Sequence, residues 1–195
     1  MAEHPSNVIL SVQNLDVKFN LRGRVLNAIR GVSLDLYEGE SLAIVGESGS
    51  GKSVFTKTFM GLLDQNGVIA GGKILYNGQD LAKYKKEKDW LKIRGREIAM
   101  VLQDPMTSLN PLKTIGYQIG EAIAIRHGLR GKALKEKVLE CLRDVGITEP
   151  ERRYHQYPHE FSGGMRQRVV IAIAVACGPR LLLCDEPTTP LDVDN

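Results

Sequence analysis

Two kinds of hydrophobic spacing divide this chain. Up to Asp80 the apolar residues come in short blocks: Leu10 to Phe19, Val32 to Leu36, Ser41 to Val45, and Lys73 to Tyr76. Blocks of this length predict strands. Asn77-Gly78 predicts a tight turn, and Gly39-Glu40 marks the approach to the third block. Ser41 to Val45 is almost continuously apolar and predicts a strand buried on both faces. A helix is predicted from Val54 to Leu63. Beyond Thr114 the period lengthens. Ile115, Ile119, Ala122 and Ile123 fall on one helical face, as do Leu134, Val138, Leu139, Leu142 and Val145. Lys132, Lys135, Glu136 and Lys137 then form a solvated side. Ile98 to Leu102 and Leu181 to Cys184 predict two more strands, the latter parallel and fully buried. No internal repeat is present.

Between the third strand and the first helix stands Gly46-Glu47-Ser48-Gly49-Ser50-Gly51-Lys52-Ser53. A glycine, four residues and Gly-Lys-Ser form the phosphate-binding loop pattern, and strand–loop–helix is the context the pattern requires. Glycines let successive backbone N–H groups turn inward on phosphate oxygens, and the following helix adds its positive end. Lys52 can then reach the β- and γ-phosphates, and the Ser53 hydroxyl can hold Mg²⁺. A Gly/Ser-rich surface turn is the plain alternative.

Asp185-Glu186 follows the run Leu181 to Cys184, at the carboxyl end where parallel sheets bind ligands. Asp185 is placed to hold Mg²⁺ and Glu186 to polarise an attacking water. Taken alone, the pair reads equally well as two solvated acids. Ser162-Gly163-Gly164 opens a second helix with free N–H groups, a hydroxyl and a positive dipole, and alone it reads as an ordinary N-cap.

Together these three elements resemble the ATP-binding cassette family. Two longer strings, Gln103-Asp-Pro-Met-Thr-Ser-Leu-Asn-Pro111 and Tyr157-Pro-His-Glu-Phe-Ser-Gly-Gly-Met-Arg-Gln-Arg168, resemble the ATPase subunits of oligopeptide, dipeptide and nickel importers. The resemblance runs from about Val8 to Asp192. It implies an α/β fold: a P-loop NTPase core with a mainly parallel sheet, an antiparallel N-terminal β region, and an inserted helical subdomain at about 107–165. It implies that Ser162, Gly163 and Gly164 complete the ATP site of a partner subunit. It also implies that Gln103 touches Mg²⁺ and the attacking water, and that an aromatic near Phe19 stacks on adenine. Phe19 also fits a half-buried strand position. His159 reads as a loop residue rather than a catalytic one.

The implied activity is ATP binding and hydrolysis, with ATP and Mg²⁺ as cofactors, driving import of peptides or a related solute such as nickel. Implied partners are a second ATPase subunit (identical or not), transmembrane permease subunits and, indirectly, an extracytoplasmic solute-binding protein, with no nucleic acid. The implied location is peripheral, on the cytoplasmic face of the plasma (inner) membrane. A soluble, non-transport ATPase of the family is the alternative, and so is a nucleotide-binding fragment without turnover. The chain departs from the family wording at Phe161 and Met165, and at Pro190 in Pro190-Leu191-Asp192, where proline removes a backbone donor. The expected domain is a single nucleotide-binding domain over 1–195, incomplete at its C-terminus. The resemblance implies a later strand with a histidine at the γ-phosphate; since His4, His127, His155 and His159 all precede Asp185, that histidine is expected to be absent from these 195 residues.

Composition narrows the picture only at its edges. The 195 residues suffice for one sizeable core. Hydrophobic residues make up 43% and charged residues 25%, an ordinary globular balance. Twenty-six basic against 23 acidic residues leave +3, too slight to imply nucleic acid. The longest apolar run, Val169 to Cys177, falls far short of the ~20 residues needed to cross a bilayer. No basic start followed by an apolar stretch marks a secretion signal. Cys141, Cys177 and Cys184 lack metal spacing and read as reduced packing residues.

Overall fold

The computed structural model describes residues 7–102 and 108–185, which fall into two compact units, Met1–Trp90 and Leu91–Asn195. Gln103, Glu186 and Pro190-Leu191-Asp192 lie outside the described residues.

In the first unit, β1 (Val8–Leu21) and β2 (Arg24–Tyr37) form a long hairpin. β3 (Gly67–Tyr76) pairs antiparallel with the other edge of β1, and the short β4 (Gln79–Asp80) closes the sheet in the order β2-β1-β3-β4. The Asn77-Gly78 turn joins β3 to β4 with both residues at positive φ (46° and 79°). Ile9, Leu10, Val12, Leu15, Val17, Ile74 and Tyr76 line the buried side. The strands run longer than their apolar blocks because pairing with a neighbour carries polar residues along the ladder.

Two expectations for this unit need correction. Ser41 to Val45 forms no strand, and its apolar side chains are exposed, Leu42 at 49%, Ile44 at 42% and Val45 at 91%. An apolar run becomes a central strand only where neighbours flank it, and none of the sheet pairings among the described residues includes this segment. α1 (Lys52–Thr58) is also shorter than Val54 to Leu63 and starts earlier. The N–H groups of Phe59, Met60 and Gly61 turn to carbonyls three residues back, which tightens the chain and ends α1. A second short helix, α2 (Glu87–Trp90), closes this unit.

The second unit contains β5 (Ile98–Val101) and β6 (Leu181–Cys184), paired in parallel from Ile98↔Leu181 to Val101↔Cys184. Between them run α3 (Ile115–His127), α4 (Gly131–Asp144), α5 (Pro150–Arg153) and α6 (Gly163–Val175). Ile115, Ile119 and Ile123 of α3, Val138 and Leu142 of α4, and Val169 and Ala172 of α6 share one core. The two helical faces read from the spacing are the ones buried here. The polar side of α4 is solvated, with Lys132 facing Glu136 at 3.8 Å and Lys137 facing Glu140 at 2.9 Å. β6 is not buried on both faces as expected: Leu181 and Leu183 are buried, while Leu182 and Cys184 are exposed. Among the described residues β5 is the only strand paired with β6, so the other edge of β6 has no sheet neighbour.

Candidate functional site

The phosphate-loop segment is exposed and sits at the head of α1. It is built from close backbone approaches. The Ser50 N–H donates to the Glu47 carbonyl at 3.1 Å, and a Cβ on Gly46 would meet Ser50 Oγ at 2.7 Å. Gly51 caps α1 at φ 97°, where a Cβ would lie 2.9 Å from the Ala28 carbonyl of β2. The loop is therefore seated against the antiparallel sheet. Phe55 N–H donates to the Gly51 carbonyl at 2.8 Å as the helix begins. Phe55 and Phe59, edge to face at 4.9 Å, bury its inner side.

Lys52 reaches back across the loop. Its ammonium donates to the carbonyls of Gly46 (2.8 Å) and Glu47 (2.9 Å), and it forms no ion pair among the described residues. A cation held only by neutral carbonyls can exchange them for an anion without breaking a salt bridge. That donor set fits a phosphate group. Glu47, Ser48, Gly49 and Ser50 complete the loop, with Gly49 at φ 78°, and Ser53 follows in the first turn of α1.

Phe19 lies in β1 opposite Leu26 and Gly67. It is half-buried, and its ring covers Gly67, where a Cβ would lie 2.8 Å from the ring edge. One edge of the ring is thus taken up by the sheet itself. In the second unit Asp185 is buried at the end of β6, its N–H donating to the Val101 carbonyl at 3.0 Å. The neighbouring Cys184 thiol is pushed up by burial.

Ser162, Gly163 and Gly164 form the start of α6 as read. The Ser162 hydroxyl accepts from Met165 N–H at 3.3 Å, so here it serves its own helix as N-cap. Phe161 before it is buried, with the Arg153 guanidinium over its ring. His159 sits in a single 3-10 turn, Pro158–Glu160, not in a loop, and its ring stacks on Tyr157 at 5.8 Å.

The sequence reading missed Arg168. Its Nη1 donates to the Val145 and Gly146 carbonyls, both at 3.1 Å, joining α6 to the end of α4. Its signal was faint: an arginine shortly after Ser-Gly-Gly, and a glycine where a helical pattern stops.

Comparison with known proteins gives this geometry a context. The profile of a family described as "ABC transporter" matches residues 29–189. The oligopeptide transport ATP-binding protein AmiE of Streptococcus pneumoniae is 58% identical over 96% of this chain and 53% of its own length. The dipeptide transport ATP-binding protein DppD of Bacillus subtilis is 52% identical over 95% of this chain and 55% of its own. The chain thus spans about half the length of the curated relatives it matches. Among solved structures, the dimeric ATP-binding cassette MJ0796 bound to ADP and Pi superposes with a TM-score of 0.82 at 28% identity, covering 94% of this chain and 76% of that one.

Proposed function

Because this chain belongs to the ABC transporter family, we propose that it is the nucleotide-binding, ATP-hydrolysing portion of a subunit that powers uptake of peptides, or of a related solute such as nickel, through a membrane permease. The observation that carries this reading is the Lys52 ammonium poised on two loop carbonyls at the head of α1, in a chain so similar to peptide-transport ATP-binding proteins. No helix among the described residues is long and apolar enough to cross a membrane, which is compatible with a peripheral subunit on the cytoplasmic face.

In this reading Lys52 and the N–H groups of Gly46 to Ser53 bind and orient the phosphates. Ser53, Gln103 and Asp185 would hold Mg²⁺, which when bound neutralises charge developing on the phosphoryl oxygens. Asp185 suits that role because its carboxylate is buried at a strand end. Glu186 takes a proton from the attacking water, and Gln103 orients that water. Ser162, Gly163 and Gly164 aim the N-terminal end of α6 at the nucleotide of a second ATPase subunit. Two subunits then enclose two ATP molecules head to tail, and closure of that pair drives the permease.

The test is reconstitution of the full-length subunit with its permease and solute-binding protein in vesicles. Peptide-stimulated ATP hydrolysis and uptake of labelled peptide are the expected results. Hydrolysis stimulated by DNA or ribosomes and indifferent to peptide would favour a soluble member of the family instead.

A further inference from the structure

We infer that Arg168 is a positioning residue: it fastens the C-terminal end of α4 to α6, so that displacement of the helical region reaches the Ser162-Gly163-Gly164 end as a single movement. The inference rests on the proposed role of those three residues at a partner's nucleotide.

α4 ends in a tight wrap. Gly146 N–H donates to the Arg143 carbonyl (2.8 Å) and Ile147 N–H to the Leu142 carbonyl (2.9 Å), with Gly146 at φ 72° and Ile147 buried. That wrap leaves the Val145 and Gly146 carbonyls as acceptors at the negative end of the helix. Arg168 supplies a cation to both at 3.1 Å from a position 22 and 23 residues along the chain. On α6 it lies between Ser162, the N-cap, and the buried pair Val169 and Val170.

The core shared by α4 and α6 is apolar (Val138, Leu142, Val169 and Ala172), and the Arg168 contact lies outside it, on the exposed surface. Apolar packing is non-directional and tolerates small sliding or rotation of one helix on another. A guanidinium on two carbonyls does not, since its donors lie in a fixed plane. Gly146 fits the same device. A Cβ there would lie 2.6 Å from Arg168 Nη1, so a side chain at this position would have to displace the guanidinium, besides meeting the strain of its φ.

Gly128 supplies the control, because it ends α3 at φ 68° and a Cβ added there would meet no atom within 4 Å. Alanine at either glycine meets the same backbone strain, but only at Gly146 does it also push the guanidinium away. The experiment compares Arg168→Gln, Arg168→Lys, Gly146→Ala and Gly128→Ala in the full-length subunit, alone and assembled with its permease. ADP affinity of the subunit alone should stay within about twofold for all four, because none touches the phosphate loop. In the assembled transporter, Arg168→Gln and Gly146→Ala should raise the half-saturating ATP concentration about five- to tenfold, the scale of one lost charge-assisted hydrogen-bond pair. Arg168→Lys should fall between, as it keeps the charge but not the planar, fixed direction in which Nη1 offers its two hydrogens. Gly128→Ala should resemble the parent. Unchanged ATP saturation in Arg168→Gln would overturn the inference. So would an equal rise in Gly128→Ala, or an equal loss of ADP affinity by the subunit alone, since either would mark general loosening of the fold. The proposed function fails by a different sign, nucleotide binding that survives Lys52→Ala.

Discussion

The Lys52 ammonium donates to the carbonyl of Gly46 at 2.8 Å, six residues back along its own loop. The contact closes the loop on itself and keeps a cation over its mouth. It needs Gly46, where a Cβ would collide with Ser50 Oγ, and Gly51, whose φ of 97° starts α1 against β2. Gly51→Ala should therefore weaken nucleotide binding and cost about 1–3 kcal/mol of stability, the scale for a residue forced into a sparsely populated backbone region. Denaturant unfolding and nucleotide titration of the variant check both; unaltered values in both would show that the loop is not built as described.

Glu186→Gln in the full-length subunit should keep ATP binding and slow hydrolysis by roughly 10² or more, as expected for loss of a general base. Nucleotide binding and single-turnover hydrolysis, measured separately, decide it. Unchanged turnover would remove Glu186 from the base role.

Ser162→Ala should cost about 1 kcal/mol through loss of the N-cap on α6, because its hydroxyl accepts from Met165 N–H. It should also lower ATP hydrolysis in the assembled transporter, where the same hydroxyl would meet the partner's nucleotide. Chemical denaturation and ATPase assays separate the two effects. A stability loss with full ATPase activity would confine Ser162 to capping.

Thiol chemistry should sort the three cysteines. Cys141 and Cys177 are buried, which raises their thiols above the ordinary value; Cys184 is exposed, but surrounding protein atoms still shield its thiol from part of the solvent and raise it as well. A raised thiol carries less thiolate at a given pH, so alkylation needs higher pH than for a free cysteine. Native alkylation followed by mass spectrometry should label Cys184 alone, slowly near neutral pH and faster as the pH rises. Rapid labelling of Cys141 would contradict the packing of α4.

How much of this was legible beforehand depended on whether a signal was local. The Asn77-Gly78 turn, the helical faces of Ile115 to Ile123 and Leu134 to Val145, and the N-cap at Ser162 follow from spacing and turn chemistry within a few residues. Ser41 to Val45 and the outer face of β6 did not, because burial of a strand is decided by the strands that pair with it and the layers that pack on its faces, both distant in sequence. Arg168 carried only a faint signal for a related reason. Its partners are two backbone carbonyls just past the end of another helix, and carbonyls carry no side-chain signature.

The most direct measurement is nucleotide titration of the chain and its Lys52→Ala variant by calorimetry. The account predicts measurable ATP or ADP binding by the parent. It predicts a loss of about 30-fold or more in the variant, the consequence of removing a charge-assisted contact of about 2–3 kcal/mol. Equal binding by both would show that the segment from Gly46 to Ser53 does not hold the phosphates.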